Sequence, residues 1–361
     1  MSPARPIPAL APLGALYLRL TALRNALFDR GIWRAERAAA PVLSIGNLVA
    51  GGTGKTPAAA WFAALLASEG RRVAIVSRGH GGVRTADPLL VRDGAAPLAA
   101  AREAGDEPYL LALERAAPIV VVGRRRVAAA ALACAAGASA IVLDDGFQHR
   151  WLARDLDVVL LDAEDPLGGG RGLPAGLMRE PASGLARAGL VLLTRAPEAL
   201  LVPRLLEAAE WPEAVAATLR DACAARGVPL PPVAAATHVP AALALPDGTT
   251  GPPASIAGRE LVAVSGIARP DSFVATLEAL GGHLAARLDF ADHHRFDGAD
   301  ARAIADAARR APGALLITTA KDAIRWPEGA PAPAVLKIAF RVPAEATVRS
   351  IVRRALSAEA S

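Results

Sequence analysis

Residues 44–57 read SIGNLVAGGTGKTP, and the reading of this stretch decides the fold. An apolar run, Pro41 to Ile45, enters it as a short strand, and the amphipathic PAAAWFAALLASEG leaves it as a helix. A glycine cluster between strand and helix is built to hold phosphate. Gly51, Gly52 and Gly54 let backbone N–H groups turn toward an anion, and the helix opening at Lys55 points its positive end the same way. Lys55 adds a mobile charge, Thr53 lies within the loop, and Thr56 is placed to ligate Mg²⁺. The common spacing G-x-x-x-x-G-K-[ST] would put glycine at 49, where this chain has Val49, so the loop is a variant.

Outward from the loop, strands and helices alternate. RRVAIVS (71–77), APIVVVG (117–123), SAIVLDD (139–145), DVVLLDA (157–163) and AGLVLLTR (188–195) are near-continuous apolar runs, as strands buried on both faces of a parallel sheet require. PYLLALERA and the stretch ending at Ala136 read as helices between them. The fold class is α/β, with a doubly wound parallel-sheet core around the phosphate loop. Residues 221–258 break the rhythm with prolines and small residues, and no element is assigned there. A second alternating set follows, from RELVAVSGI to AVLKIAF. The expected organisation is an N-terminal helix (1–40), a nucleotide-binding core (41–195), a smaller second α/β lobe (196–343) and a terminal helix (344–361).

At 361 residues, 53% apolar and 21% charged, the chain has room for two lobes and is not globally disordered. Its net charge of +5 favours acidic partners: nucleotides, phosphorylated substrates or anionic lipid surfaces. With 4% aromatic residues and no basic stripe interleaved with aromatics, nucleic acid is not expected, and no obligate protein partner is implied. The two cysteines, Cys134 and Cys223, lack metal-binding spacing and fit a reducing compartment.

The first 37 residues carry a separate signal. Among these residues PIPALAPLGALYL is the longest charge-free run, and its 13 residues fall short of the roughly 20 that span a bilayer. Leu13, Leu16, Leu20, Leu23 and Leu27 repeat at helical spacing, with Arg19, Arg24, Arg30, Arg34 and Arg37 among or after them and Tyr17, Phe28 and Trp33 nearby. That is the composition of a helix lying in a membrane interface. An amphipathic helix packed on its own domain would show the same pattern, so both readings stand on sequence alone.

SAIVLDD ends in Asp144 and Asp145, followed by Gly146, Phe147, Gln148 and His149. Carboxylates at the carboxyl end of such a strand face the ligand crevice, where an aspartate would hold Mg²⁺ beside the loop. Adjacent strand residues point to opposite faces, so only one of the pair reaches the metal unless the chain bends at Gly146.

GNLVAGGTGKTP, SRGHGG, AGDEP, LDDGFQHRWLARD, LPAGLMREP and FADHH, in this order, together resemble the tetraacyldisaccharide 4'-kinases of lipid A biosynthesis. The resemblance extends to TTAKDAIR near 325 and so covers most of the chain. It implies a two-lobed enzyme on the cytoplasmic face of the bacterial inner membrane. That enzyme transfers the γ-phosphate of ATP to the 4'-hydroxyl of tetraacyldisaccharide 1-phosphate, giving lipid IVA. The family's catalytic Asp and its partner His match Asp106, in GDEP, and His293, in the DH segment, with His294 a rival on sequence alone. A carboxylate in reach of the sugar hydroxyl can take its proton while a histidine tunes the carboxylate. Arg179 and Glu180 match family positions at the active site; the arginine could neutralise phosphoryl charge, and the role of Glu180 is open. Gln148 and His149 are expected to order the nucleotide or the metal site. The chain departs from the family pattern at His80, where a tyrosine is usual, and at Ala320, where glutamate is common.

Two rival classes are weighed. A GTPase switch or metal chaperone would need N/T-K-x-D, D-x-x-G or a Cys/His cluster; here Lys321 and Asp322 are adjacent, and Leu143 stands three before Gly146. A kinase for a soluble acceptor would share every phosphate-handling residue and differ in the N-terminal helix.

Overall fold

The computed structural model describes residues 7–51, 54–84, 86–94, 96–113 and 119–357. They fall into two compact units, Ile7–Thr237 with Phe340–Ser357, and His238–Ala339.

The first unit opens with α1 (Ala11–Asp29), β1 (Val42–Gly46), α2 (Lys55–Ala67), β2 (Val73–Ser77) and β3 (Leu89–Asp93). It continues through α3 (Ala101–Ala104), α4 (Asp106–Leu113), β4 (Ile119–Val122), α5 (Arg126–Ala135) and β5 (Ala140–Asp144). β6 (Leu156–Asp162), β7 (Leu190–Thr194), α6 (Glu213–Ala224) and β8 (Val233–Ala235) complete it. Its eight strands form one sheet in the order β3-β4-β2-β5-β1-β6-β7-β8, parallel throughout except for edge strand β3, which runs antiparallel to β4.

The apolar runs are strands because both of their faces are covered. In β2, Val73 and Ile75 join the cluster that holds Phe62 and Leu66 of α2, while Ala74 and Val76 join the one that holds Ala129, Ala130 and Ala133 of α5. Side chains alternate across a strand, so a strand between two helical layers must be apolar at every position. Fully burying one such side chain contributes about 1.5–3 kcal/mol.

The core extends beyond the expected boundary at 195. β8 continues the sheet parallel to β7, and Val215 and Leu219 of α6 pack with Val191 and Leu193, so residues 196–237 belong to the first unit. A three-residue strand after a proline-rich turn leaves too short a pattern to read. β3 escaped sequence assignment for a related reason: it is a five-residue edge strand whose register slips between Leu90 and Arg92.

The second unit is built on β9 (Thr237–Ala244), β10 (Thr250–Gly251), β11 (Glu260–Ser265), α7 (Pro270–Ala279) and β12 (His283–Asp289). α8 (Gly298–Arg310), β13 (Leu315–Thr319), α9 (Ala320–Ala323) and β14 (Ala334–Arg341) follow. The sheet order is β10-β9-β14-β13-β11-β12. β9 and β10 lie in the stretch where no element is assigned from sequence; β9 carries a proline and is mostly half-buried, which blurs its period. The chain then ends in α10 (Glu345–Ser357), whose Val348, Val352 and Leu356 share the cluster of α2. Arg349 donates to Ser68 Oγ at 2.7 Å and Arg353 to Glu69 at 2.7 Å, tying α10 to the end of α2.

α1 packs with its polar face inward. Gly14, Thr21 and Asn25 are its buried residues, while Leu13, Leu16, Leu20 and Leu23 are each more than half exposed. Gly14 is required there, because a Cβ would stand 2.6 Å from the Gly172 carbonyl oxygen. No described helix is long and apolar enough to cross a membrane.

Candidate active site

β1 and β5 are neighbours, and Ile45 is in register with Asp144. The glycine loop and the acidic pair therefore leave adjacent strands at the same end of the sheet, the arrangement that places ligands at carboxyl ends in open α/β folds. The two turns also pack on each other: a Cβ on Gly46 would lie 2.5 Å from that of Phe147. In the loop, Gly51 at φ +120° and Gly54 at φ +80° adopt backbone that side chains resist, and Gly54 stands just ahead of α2. Gly52 and Thr53 lie outside the described residues. Lys55 folds back to the Gly51 carbonyl at 3.3 Å and lies 3.7 Å from Asp145 Oδ1. Burial lowers its pKa, and the Asp145 and Asp144 carboxylates act against that shift.

The chain bends at Asp145 itself, at φ +53°, rather than at Gly146. The bend that the sequence reading would have placed at Gly146 falls one residue earlier: the left-handed turn carries Asp145 to Lys55 and leaves Asp144 at the strand end. Gly146 serves the packing, since a Cβ there would meet Leu143 Cδ2 at 2.5 Å. Asp145 is gripped by Arg179, whose Nη1 donates to both carboxylate oxygens at 2.7 and 2.8 Å. Burial would raise the pKa of Asp145, but Lys55 and Arg179 outweigh it and hold the group below the usual range.

Asp144 is in the opposite state. It is buried, its Oδ2 accepts from Ser77 Oγ at 3.2 Å, and its Oδ1 has no hydrogen-bond partner. Burial, together with Glu107 and Asp145 nearby, pushes its pKa up to about 7. Glu107 in turn accepts from Thr56 Oγ1 at 3.3 Å. Carboxylates crowded beside a threonine hydroxyl, with one buried oxygen unclaimed, form a hard oxygen-donor set, and a divalent cation such as Mg²⁺ suits it. Among the described residues no group of three His, Cys, Asp or Glu forms a ready-made metal cage. Mg²⁺ does not require one, since it is usually held by one or two carboxylates plus substrate phosphates and water.

Asp106 is the first residue of α4, and a glycine-lined contact fixes it there. A Cβ on Gly105 would lie 2.4 Å from the His80 carbonyl oxygen, and one on Gly82 would lie 2.3 Å from that of Glu103. The SRGHGG turn thus grips the residues before Asp106 through its backbone. His80, which replaces the family's usual tyrosine, supplies a carbonyl to that contact. Arg126, the first residue of α5, is a second buried cation of this region. It donates to the Gly123 carbonyl at 2.7 Å, and burial lowers its pKa to about 10 against the pull of Asp144 and Asp145.

Glu180 and Gln148 bond to each other beside the start of the glycine loop. Glu180 has no exposed surface and accepts from Asn25 at 2.7 Å, Gln148 at 2.9 Å and Arg187 at 2.9 Å. Gln148 Nε2 also donates to the Asn47 carbonyl at 2.8 Å. The carboxylate joins α1, the DGFQH turn and the start of the glycine loop. A carboxylate so enclosed fixes geometry and offers no surface for proton transfer. Burial, with Arg126, Arg154, Arg24 and Arg78 nearby, lowers the pKa of His149 to about 4, so its ring is neutral at physiological pH.

Sequence reading missed Glu107, Ser77, Arg126, Asn25 and Arg187. Glu107 had a signal, standing next to Asp106 in GDEP. The others are isolated polar residues whose partners are distant in sequence.

In the second unit His293 sits at φ +59°, and Lys321 Nζ donates to its Nε2 at 3.2 Å and to Asp292 Oδ1 at 3.0 Å. An ammonium can only donate, so Nε2 must accept, and the histidine carries its proton on Nδ1. The rival His294 is committed to structure: its Nε2 is 2.8 Å from Asp300 in the cap of α8, and its ring stacks on Phe290. Asp322 is buried, accepting from Gly266 N at 3.0 Å and Thr319 Oγ1 at 2.7 Å, so the departure at Ala320 leaves this bonding intact.

The family model for tetraacyldisaccharide-1-P 4'-kinases matches residues 7–360. This chain belongs to that family. The tetraacyldisaccharide 4'-kinase of Anaeromyxobacter sp. strain K is 47% identical over 329 residues, covering 87% of this chain and 82% of that one. The corresponding protein of Geobacter metallireducens is 42% identical over 319 residues, covering 88% and 87%. A crystal structure of the Aquifex aeolicus LpxK in complex with ATP superimposes with a TM-score of 0.74 at 28% identity, covering 96% of this chain and 98% of that one.

Proposed function

We propose that this kinase transfers the γ-phosphate of ATP to the 4'-hydroxyl of tetraacyldisaccharide 1-phosphate, yielding lipid IVA at the cytoplasmic face of the inner membrane. One observation carries the reading beyond family membership: Lys55, at the end of a glycine loop, lies 3.7 Å from one of two carboxylates leaving the adjacent strand. The other carboxylate has a buried oxygen without a partner.

Thr56, Asp144 and Asp145 are the proposed Mg²⁺ ligands, with Glu107 beside them. Bound there, Mg²⁺ would neutralise charge on the β- and γ-phosphates. The described loop glycines and Lys55 bind the phosphates, as expected also of Gly52 and Thr53. Lys55 and Arg179 now share Asp145, and both can turn to the transferring phosphoryl group as its oxygens gain charge. Asp106 is the proposed base: as the acceptor oxygen bonds to the γ-phosphorus and the bond to ADP breaks, the hydroxyl proton passes to its carboxylate. His293 is the proposed partner histidine, prepared in its own unit as the Nδ1–H tautomer by Lys321. Glu180 and Gln148 are proposed as positioning residues.

The exposed leucines of α1 support contact with the membrane in which the acyl chains lie. A packed helix would have turned Leu13, Leu16, Leu20 and Leu23 inward; instead the polar face is buried and the apolar one is offered to lipid. Replacing Leu16 and Leu20 by serine is expected to raise KM for the lipid in mixed micelles at least about fivefold, the loss of two buried apolar contacts. The melting temperature should stay within a few degrees. Unchanged lipid KM would remove α1 from the membrane contact.

The test of the reading is label transfer: purified protein, Mg²⁺, γ-labelled ATP and detergent-dispersed tetraacyldisaccharide 1-phosphate. Label entering a bisphosphorylated lipid supports it. ATP binding without lipid labelling would send the assignment to a soluble acceptor.

A further inference from the structure

Helix α1 is tied to the phosphate loop by two routes, both within the first unit. Gly14 of α1 and Gly172 approach backbone to backbone: a Cβ on either would stand 2.6 Å from the other's carbonyl oxygen. Ile7 N also donates to the Ala175 carbonyl at 2.9 Å. From Gly172 the contact passes inward, since Leu173 N donates to the Met178 carbonyl at 3.0 Å. Met178 pairs with Val49 in an antiparallel bridge, flanked by Ala50 N on the Leu177 carbonyl and Arg179 N on the Leu48 carbonyl, each at 2.8 Å. Residues 48–50 run directly into Gly51, and Arg179 is the residue that grips Asp145. The second route is polar: Asn25 Nδ2 donates to Glu180 at 2.7 Å, and Gln148 joins Glu180 to the Asn47 carbonyl.

The apolar hold on α1 itself is slight. Its buried residues are Gly14, Thr21 and Asn25, and Thr21 Oγ1 bonds back to the helix's own Tyr17 and Leu18 carbonyls. Leu13, Leu16, Leu20 and Leu23 face out, so the roughly 1.5–3 kcal/mol that each would give on full burial does not keep the helix in its seat. A bilayer supplies what the core does not. Phe28 and Trp33, at and beyond the end of α1, gather on Trp151, just after the DGFQH turn, with ring centroids 4.9, 5.2 and 5.5 Å apart. Trp33 and Trp151 are 36% and 44% exposed, and tryptophan is a residue that settles at the membrane–water interface. This aromatic group draws on both helix and core, so it is complete only while α1 is seated. A surface that takes the leucines and both tryptophans therefore binds the seated arrangement better, as a ligand must if it is to shift a population.

We infer that α1 is a working part of the ATP site: a lipid bilayer, by holding the helix in its seat, tightens ATP binding in the glycine loop before any acceptor is bound. Asn25 is the positioning residue between the two. This rests on the reading of the loop as an ATP site and of the leucine face as a lipid contact. The link is one of contiguous packing and hydrogen bonds, and it is reciprocal: ATP must strengthen the hold on the bilayer by the same factor.

The experiment titrates a non-hydrolysable ATP analogue with Mg²⁺ into the full chain, with and without vesicles of phosphatidylethanolamine and phosphatidylglycerol, and with no acceptor present. Wild type is expected to bind the analogue at least about fivefold more tightly on vesicles, the lower end of coupling between sites. The analogue should lower the vesicle concentration for half-binding by the same factor. Asn25→Leu removes the bond to Glu180 and leaves the leucine face intact, so it should still bind vesicles yet lose most of the tightening. Leu16 and Leu20 are exposed, so replacing both by serine spares the core and keeps the inference testable if Asn25→Leu does not fold. That double variant should bind the analogue as wild type does without vesicles and gain nothing when they are added. Equal affinity of wild type on and off vesicles that it binds, or either variant keeping the full tightening, would overturn the inference. A wild type that binds no analogue, or no vesicles, would instead defeat the readings on which it rests.

Discussion

Asp106→Asn is expected to lower kcat for lipid phosphorylation by about 10²–10⁴, the usual worth of a positioned general base, with little change in KM for ATP. Asparagine keeps the size of the side chain and its place at the start of α4 but cannot accept the hydroxyl proton. The substitution leaves the glycine loop, Thr56 and the acidic pair in place, so ATP should still bind. Steady-state kinetics with both substrates varied separates the two effects. Turnover within a few-fold of wild type would remove Asp106 from the chemistry and leave the active site without its base.

Glu180→Ala is expected to cost about 3–5 kcal/mol of stability, the size of breaking a buried ion pair by removing one partner. The alanine would leave Arg187 with none of its hydrogen bonds to Glu180, and Asn25 and Gln148 would each lose an acceptor. Because Gln148 also bonds to Asn47 at the start of the glycine loop, ATP affinity should fall together with stability. Glu180→Gln, which keeps the shape and one acceptor oxygen, should cost clearly less. Chemical denaturation of the three proteins, read beside nucleotide binding, decides the matter. An alanine variant as stable as wild type, yet inactive, would return Glu180 to the catalytic groups.

Much of this was legible in the sequence, for physical reasons that differ by element. β1, β2, β4, β5, β6 and β7 could be read because strands buried on both faces are apolar at every position. The glycine loop could be read because φ values such as those of Gly51 and Gly54 admit few other residues. β8 and β9 could not, since a three-residue strand and a half-buried one leave no clear period. The acidic pair was readable as a pair, but not the division of labour within it. That division depends on Arg179, 34 residues further on, and on Ser77 of a neighbouring strand. The leucine spacing of α1 predicted a helix correctly and left its outward face open. Asn25, seated against Glu180 155 residues away, decides which side is turned in.

The account stands most directly on the position of the transferred phosphate. Product from a preparative reaction with tetraacyldisaccharide 1-phosphate, examined by phosphorus–proton correlation NMR, should show one phosphate coupled to the anomeric proton and the new one coupled to the 4' proton. A new phosphate on any other carbon, or ADP formed with no second phosphate on the lipid, would contradict it.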